Sequence, residues 1–475
     1  MRELKGWQEH ARAVDRLRAS YDAISAGAPV RLRKRTSNLF RPRDATHTPG
    51  LDVSGLDGVI AVDVQARTAD VQGMCTYEDL VDATLPHGLI PLVVPQLRTI
   101  TLGGAVTGLG IESTSFRSGL PHESVLEMDV FTGAGEVVTA QRPAPGAANE
   151  HAELFRTFPN SYGSLGYATR LRIELEAVPD LVALRHVRFT DPVPLQAAIA
   201  EITTTREWAG ERVDGMDGVA FAPGEYYLTL ARWVSTGSTT GNGSTTGNGS
   251  TTSDYTGQDI YYRSIQQRPT DLLTTYDYLW RWDTDWFWCS GAFGVQHPVV
   301  RRLWPRRLKR SDVYHRLVGL DLKYGVMDRL DRRAGRPKRE RVIQDIEVPV
   351  DRLGDFLDWF DDEVGMRPVW LCPLRLREQS PVLPSYPLRQ GTTYVNVGFW
   401  GAVPVGPDAD QGPLNRAIEA QVHELDGHKS LYSESFYDPA TFDALYDGAN
   451  LAAVKKRYDP DDRLMTLYDK AVRRR

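Results

Sequence analysis

The sequence of 475 residues is poor in the features that mark secreted, metal-binding and membrane-spanning proteins. Its three cysteines, Cys75, Cys289 and Cys372, are far apart and odd in number, which fits neither a disulfide framework nor a zinc site. The ten histidines show no metal-ligand spacing, so no metal is predicted. No apolar run is long enough for a spanning helix, and the N-terminal segment does not resemble a signal peptide. These absences predict a cytoplasmic protein.

An excess of positive charge is also absent. The net charge of -6 argues against a general nucleic-acid binder. With 41% hydrophobic and 25% charged residues, the composition is that of a soluble globular protein, and the length predicts two domains or one domain with a large insertion. Arginine dominates the basic residues, which indicates a GC-rich bacterial genome.

The two common nucleotide-binding motifs are missing, since no G-x-G-x-x-G follows a strand and no G-x-x-x-x-G-K-[ST] occurs. The segment Thr101–Gly119, TLGGAVTGLGIESTSFRSG, is nevertheless rich in glycine. Without Cβ atoms, successive backbone amides can converge on an anion, and a diphosphate is the usual ligand. Ordinary tight turns are the alternative interpretation.

The segments around these glycines have the periodicity of short strands and helices. Apolar and polar residues alternate in GVIAVDV and TADVQGM, which predicts two strands. A helix is predicted for TYEDLVDATLPHG, capped by Thr76 with Asp79 and ended by Gly88. SVLEMDVFTGAGEVVTA predicts two strands around a Gly-Ala-Gly turn. The N-terminus predicts an amphipathic helix whose apolar face holds Trp7, Ala11, Val14, Leu17, Tyr21 and Ile24. A β-rich α+β domain follows from this pattern.

The second half of the chain contains two segments of unusual composition. Residues 235–253 are a near-repeat of Gly, Ser, Thr and Asn, which predicts a disordered surface loop. Soon after it comes a dense aromatic segment, which is either core or the lining of a site for a long apolar substrate. Its rings are Tyr276, Tyr278, Trp280, Trp282, Trp286, Phe287 and Trp288.

Four segments carry a resemblance to a known family. They are TLGGAVTGLGIESTSFRSGLPHESVLEMDVFTGAGEVV, NSYGSLGYATRLRIELE, RPVWLCPLRLR and HKSLYSESFYDPATFDALYDG. They resemble FAD-linked oxidoreductases of the vanillyl-alcohol-oxidase type, with a PCMH-type FAD-binding domain. Within that superfamily the resemblance is strongest to Δ24-sterol reductases and to actinobacterial relatives that reduce methylene-branched fatty acyl chains.

The resemblance implies an α+β fold with a division into three parts. A two-subdomain FAD-binding domain would occupy residues 1–180 and an α+β cap, or substrate, domain residues 181–430. Residues 431–475 would return to the flavin site.

The resemblance also implies which residues hold FAD. Many relatives carry a histidine in an early turn that bonds covalently to the flavin, and this chain has none there, so non-covalent FAD is expected. The implied FAD-binding residues are Thr36, Ser37, Asn38, Thr101, Leu102, Gly103, Gly104, Gly108, Gly110, Glu112, Ser113, Ser118, Gly163, Ser164 and Gly166.

The expected chemistry is reduction of an isolated double bond with NADPH as the electron donor. Such a bond must be protonated before it accepts hydride, and aromatic faces can stabilise the resulting cation. In this family type the last β segment lies over the flavin, and here it reads SLYSESFYD, which offers Tyr432, Glu434 and Tyr437 as acid candidates. Cys372 is interpreted as a buried hydrophobe, with a catalytic role as the alternative.

The expected substrate is a phospholipid acyl chain, converted from 10-methylene to 10-methyl. A lipid methyltransferase would act upstream. Peripheral contact with the inner face of the membrane is expected through RRLWPRRLKR, by way of Leu303, Trp304, Leu308, Arg306, Arg307 and Arg310. The alternatives are a Δ24-sterol side-chain reductase, a flavin-dependent alcohol oxidase or dehydrogenase, and a non-catalytic lipid- or flavin-binding protein.

Overall fold

The structure is a computed structural model. It describes residues 3–34, 50–144, 149–237, 251–324, 337–377, 385–406 and 412–473, together with residues 329, 333 and 335. The predicted loop at 235–253 therefore falls largely outside the described residues.

The N-terminal part is built on an antiparallel sheet with the strand order β1-β2-β6-β4-β5, in which β3 also pairs with β6. Its strands are β1 (Val59–Asp63), β2 (Thr68–Gln72), β3 (Leu89–Pro91), β4 (Val125–Phe131), β5 (Val137–Gln141) and β6 (Tyr167–Ala177). Its helices are α1 (Gly6–Asp22), α2 (Tyr77–Thr84), α3 (Leu102–Gly108), α4 (Ser115–Ser118) and α5 (Ala152–Thr157).

The predicted beginning and end of the helical segment that starts at Thr76 are both present. Thr76 caps α2 by accepting a hydrogen bond from the Asp79 amide, and Gly88 adopts a left-handed φ of 67° after the helix. The N-terminal helix differs in its buried face: Trp7 is 52% exposed, whereas His10 is buried. The face that carries Ala13, Val14 and Leu17 packs in a core that includes Leu51, Leu56 and Phe131. The Trp7 ring lies outside that core, with the Arg170 guanidinium group 5.8 Å from its centroid.

The second part is an eight-stranded antiparallel sheet with the order β12-β7-β11-β10-β14-β15-β13-β16. Its strands are β7 (Leu181–Phe189), β10 (Gly215–Ala222), β11 (Glu225–Val234), β12 (Thr270–Thr274), β13 (Arg339–Pro349), β14 (Val369–Leu374), β15 (Tyr394–Pro404) and β16 (His428–Lys429), and a separate hairpin joins β8 (Glu207–Trp208) to β9 (Glu211–Arg212). The helices are α6 (Pro192–Thr205), α7 (Tyr261–Gln267), α8 (Thr275–Leu279), α9 (Pro298–Leu303), α10 (Ser311–Tyr324), α11 (Leu353–Glu363) and α12 (Pro413–Glu424).

The two faces of this sheet have different partners. Because side chains alternate along a strand, Val342, Ile346 and Val348 of β13 join one hydrophobic core with α6, α11 and α12. Trp370 of β14, on the other face, belongs to the core shared with the N-terminal part. This second face positions the site.

The C-terminal segment contains α13 (Pro439–Leu445), α14 (Gly448–Tyr458) and α15 (Leu467–Ala471). It contacts the N-terminal part, since the Ala134 amide donates to the Tyr458 carbonyl at 3.1 Å and the Val30 amide to the Arg463 carbonyl at 2.8 Å. The fold is thus α+β with antiparallel sheets, as predicted. Among the described helices, none has both the length and the apolar character needed to cross a membrane.

Candidate active site

A cavity of about 480 Å³ lies where the N-terminal part meets the second sheet. One wall consists of α3 and the glycine turn before β6. The other wall includes side chains of β13, β14 and β15 and of the segment after β16. The size is that of a pocket for a cofactor or a small ligand.

The glycine-rich wall is a short helix and does not form the predicted nest of converging amides. The Leu102 amide donates to the Cys75 carbonyl, the Gly103 amide to the Gly73 carbonyl and the Gly104 amide to the Thr101 hydroxyl, at 2.9, 3.0 and 3.2 Å. A Cβ on residue 103 would lie 2.6 Å from the Gly73 oxygen. Glycine at position 103 is therefore needed for close packing between these two chain segments.

The glycine turn before β6 completes this wall. Gly163 and Gly166 have φ values of 78° and 131°, which favour glycine. A Cβ on residue 166 would also lie 2.6 Å from the Phe131 carbonyl oxygen. Both glycines line the cavity.

Most of the FAD-binding residues implied by the sequence that the structure describes meet at this wall, but several do not. Thr101, Gly103, Gly104, Gly108, Gly110, Gly163 and Gly166 line the cavity. Leu102, Ser164, Glu112, Ser113 and Ser118 are buried and are not part of its lining. Thr36, Ser37 and Asn38 lie outside the described residues.

Glu112 and Ser113 belong to a buried polar cluster outside the cavity lining, so their contact with FAD stays a prediction. Arg281 donates to Glu112 at 2.5 Å and to Asp217 at 2.9 Å, and Ser113 bonds the Tyr278 hydroxyl at 2.7 Å. Burial raises the pKa of the Glu112 carboxyl, and the Arg281 charge opposes that rise. These groups stabilise the interior. Ser118, likewise, contacts the neighbouring Arg117 at 3.3 Å.

Aromatic rings form the opposite side of the cavity. Phe287 stacks on Trp400 with ring centroids 4.2 Å apart and meets Trp370 edge-on at 5.4 Å. Trp286 and Phe287 both have positive φ, 45° and 58°, a strained conformation for bulky residues that turns their side chains into the cavity lining. Trp282 stacks behind Phe287 at 4.9 Å. The aromatic segment thus supplies both core and cavity wall.

An acidic side chain that the sequence analysis did not single out lies in this aromatic wall. Asp345 of β13 lines the cavity and accepts a hydrogen bond from the Asn396 amide at 3.1 Å. Desolvation raises the pKa of its carboxyl to about 6, against the lowering effects of Asn396 and Tyr432. The available sequence signal was the alternation in VIQDIEVPV, which puts Asp345 and Glu347 on one strand face.

The three acid candidates from the sequence are separated in space. Tyr432 lines the cavity, where the Trp400 ring N–H donates to its hydroxyl at 2.9 Å. Glu434 is not in that lining, and its carbonyl accepts from the buried Lys429 ammonium group. Tyr437 lines a second cavity, with Glu419, His423 and Tyr468 among its neighbours there.

The predicted last β segment, residues 430–438, does not form a strand. Only His428 and Lys429 pair with β13, and residues 430–438 are irregular. The Lys429 ammonium group binds Glu419 at 2.6 Å, and Glu419 also accepts from the Phe436 amide at 3.1 Å, so the chain turns around this ion pair instead of continuing the ladder. Cys372 is fully buried on β14, and burial raises the pKa of its thiol, which agrees with its interpretation as a buried hydrophobe.

Comparisons with known proteins identify the N-terminal part. Residues 11–141 match the family described as FAD binding domain. The chain carries an FAD-binding domain of the PCMH type and is an FAD-dependent oxidoreductase. The recognition made from the glycine-rich segments is confirmed.

Relatives of the FAD-dependent oxidoreductase extend over most of the chain. It is 24% identical to Delta(24)-sterol reductase of Arabidopsis thaliana, over 90% of this chain and 77% of the relative. It is 23% identical to Delta(24)-sterol reductase of Homo sapiens, over 87% of this chain and 75% of the relative. Cytokinin dehydrogenase 2 of Oryza sativa subsp. japonica is 35% identical over 27% of this chain and 22% of the relative.

The described residues of the FAD-binding domain fit its cofactor. The wall of α3 and the glycine turn contains several glycines, and the cationic side chains Arg31, Lys34 and Lys470 line the same cavity. Lys470 lies at the glycine turn, where its ammonium group donates to the Tyr162 carbonyl at 3.0 Å. Small residues beside cations suit a diphosphate, and the aromatic wall suits a planar ring.

Proposed function

We propose that the protein uses non-covalently bound FAD and NADPH to reduce an isolated carbon-carbon double bond in a lipid, and that the substrate is a 10-methylene acyl chain of a phospholipid. The observation that carries this proposal is the cavity wall that contains the rings of Trp370, Trp400 and Phe287 together with the carboxyl of Asp345. The relatives named as sterol reductases support a lipid double bond as the target.

The aromatic wall meets a physical demand of this reaction. A double bond without a neighbouring carbonyl must gain a proton, and the branch carbon then becomes a tertiary cation. Each well-placed aromatic face stabilises a desolvated cation by up to about 2 kcal/mol. FAD, when bound, supplies the hydride that completes the reduction. The side chains of this chain orient the apolar substrate, exclude water and hold the proton.

The proposed acyl substrate distinguishes this protein from the sterol reductases. A 10-methylene chain and a sterol side chain both give a tertiary centre on protonation, so one aromatic wall serves either. The arginine-rich composition indicates a GC-rich bacterium, in which sterol synthesis is rare and methyl-branched acyl chains are common among actinobacteria. A lipid methyltransferase that forms the methylene group would then act immediately upstream.

The surface next to the cavity supports contact with a membrane. Leu303 is 77% exposed, and Leu320 and Tyr324 of α10 are about half exposed. The first residues of α10 line the cavity, and Leu320 and Tyr324 lie further along the same helix. Arg302 and Arg307, which are exposed, add positive charge. Apolar side chains among cations are typical of a surface that binds anionic lipid.

Part of the predicted basic segment is not available to lipid. Arg301 is buried and binds Asp285 at 2.7 Å, Lys309 is buried, and Arg310 pairs with Glu78 at 2.7 Å. Arg306 binds Asp254 at 2.7 Å but remains exposed. The membrane surface is therefore assigned to Arg302, Arg307 and the exposed apolar residues.

An anaerobic half-reaction assay tests the proposed function. The bound flavin is reduced with NADPH, and vesicles containing a 10-methylene phospholipid are added while flavin absorbance and lipid mass are recorded. We expect reoxidation with formation of the 10-methyl lipid, and no reoxidation with the 10-methyl lipid itself. Reduction of a Δ24-sterol but not of the methylene lipid would show that the substrate is a sterol. Rapid oxygen consumption with an alcohol would show that the enzyme is an alcohol oxidase.

A further inference from the structure

Asp345 and Tyr432 meet in the aromatic wall, and their arrangement deepens the proposed function, on which this inference rests. We propose that Asp345 is the proton donor to the substrate double bond and that Tyr432 is a positioning residue that holds the Asp345 carboxyl. Of the three acid candidates from the sequence, Tyr432 lines the cavity and Glu434 and Tyr437 do not. Asp345 lines the same cavity.

The hydrogen bonds around the pair show which group can give up a proton. The Trp400 ring N–H donates to the Tyr432 oxygen at 2.9 Å, and the Tyr432 hydroxyl is hydrogen-bonded to Asp345. Asn396 donates to Asp345 Oδ1 at 3.1 Å. The Tyr432 hydroxyl is thus held between Trp400 and Asp345. Its role is to orient the carboxyl, and the carboxyl faces the cavity.

The partners of Asp345 are neutral, which distinguishes it from Glu112 and Asp217. Glu112 and Asp217 both bind the Arg281 guanidinium group. Asp345 instead accepts from an amide and a hydroxyl. Such neutral partners let a carboxyl exist in its protonated form, which a general acid requires.

Acid strength separates the two members of the pair. The pKa of the Asp345 carboxyl is about 6, while burial raises the pKa of the Tyr432 phenol well above 10. An unactivated double bond is a weak base, so the stronger acid is the better donor.

The strand register places Gly398, which has no side chain, beside the Asp345 carboxyl. Asp345 pairs with Gly398 of the neighbouring strand β15, and a Cβ there would lie 2.4 Å from Asp345 Oδ1. The same Cβ would lie 2.7 Å from the Trp400 ring. Gly398 therefore lets the carboxyl and the aromatic face lie side by side.

The proton transfer balances in atoms and electrons. The π electron pair of the double bond takes the proton from Asp345, a C–H bond forms at the exposed methylene carbon, and the branch carbon becomes positive. Hydride from the reduced cofactor then forms the second C–H bond. The Asp345 carboxylate, stabilised by Asn396 and Tyr432, regains its proton from water.

Other titratable groups lie around Asp345 and influence how the protonation of its carboxyl depends on pH. On its own strand the neighbour is Glu347, whose carboxyl accepts from the Tyr386 hydroxyl and whose pKa burial raises well above its usual value. From β14, β16 and the cavity walls the groups are Cys372, His428, Tyr432, Asp312, His315, Arg31, Lys34 and Lys470.

A binding experiment on the FAD-loaded enzyme tests the carboxyl without turnover. The probe is an acyl chain with a tertiary amine at the branch position, because its ammonium form imitates the cation. We expect affinity to rise about tenfold per pH unit up to pH 6 and then to level off, since only ionised Asp345 attracts the ammonium group. In Asp345→Asn the affinity should be lower and independent of pH, while the exposed Asp351→Asn should behave as the unsubstituted enzyme. Equal affinity and pH dependence in Asp345→Asn would overturn the proposal.

Infrared spectroscopy and single-turnover kinetics provide independent measurements. The carboxylic acid C=O band lost in Asp345→Asn should titrate near pH 6, and Tyr432→Phe should move that titration to higher pH by removing a hydrogen-bond donor. Lipid reduction by Asp345→Asn should fall by about 10³, in the range of a lost general acid, whereas Asp351→Asn should reduce lipid at the rate of the unsubstituted enzyme. If the unsubstituted enzyme reduces no lipid, the proposed function fails. If Asp345→Asn reduces lipid as fast as the unsubstituted enzyme, only the assignment of Asp345 fails.

Discussion

Asp345 and Gly398 face each other across the paired strands β13 and β15, and no side chain can stand between the carboxyl and Trp400. The position of this carboxyl therefore depends on a glycine that lies 53 residues later in the chain and has no chemical function of its own.

Gly398→Ala is expected to displace the Asp345 carboxyl, because the new Cβ would approach Oδ1 to 2.4 Å. Overpacking of this kind costs about 1–3 kcal/mol of unfolding free energy. Denaturant unfolding and the single-turnover rate of lipid reduction measure the two effects. Gly406→Ala is the control, since a Cβ there meets nothing within 4 Å. A normal rate in Gly398→Ala would show that the carboxyl is not held in one position.

The rate of the lipid half-reaction is expected to fall as pH rises. The acid form of Asp345 is the active one, and its pKa is raised to about 6. The rate should thus be constant well below pH 6 and decrease about tenfold per pH unit well above it. Stopped-flow measurements from pH 5 to about pH 8 test this, with Tyr432→Phe expected to shift the profile to higher pH. A rate that rises with pH would contradict the assignment.

Gly104→Val is expected to reduce FAD content, because Gly104 is an exposed part of the cavity wall and a valine side chain there would extend into the cavity. Absorbance of the purified protein measures flavin per chain, and acid precipitation shows whether the flavin is released, as expected for non-covalent binding. Gly406→Ala is again the control. Full flavin content in Gly104→Val would show that the cofactor does not lie against α3.

Membrane contact is expected to depend on Leu303, Leu320, Arg302 and Arg307. Replacing the leucines by Asp should weaken co-sedimentation with anionic vesicles, and replacing each arginine by Glu should cost about 1 kcal/mol or more per position. Val193→Asp is the matched control, since Val193 is 68% exposed on α6, away from this surface. Binding that ignores these substitutions would refute the assigned surface.

Glu112→Ala is expected to destabilise the protein more than it weakens FAD binding. The substitution leaves the fully buried Arg281 with one of its two carboxylate partners removed. Breaking a buried pair in this way costs about 3–5 kcal/mol. Denaturant unfolding measures the loss, and flavin titration at low temperature measures binding. Loss of FAD affinity without loss of stability would indicate that Glu112 contacts FAD directly, as the family resemblance implied.

Local patterns in the sequence determined much of the fold. The Thr76 cap, the left-handed Gly88 and the turn at Gly133 to Gly135 depend on interactions within a few residues, and these were predicted correctly. The FAD-binding domain was also recognisable, because its glycines form one continuous segment.

Only the tertiary structure decided which polar groups reach the cavity. Glu112 and Asp345 are both acidic residues in apolar surroundings of the sequence, yet one is paired with Arg281 and the other lines the cavity. The difference arises from partners that lie 169 and 51 residues away along the chain. Strand alternation restricts a side chain to one face of a sheet, but which surface covers that face is set by packing between distant segments.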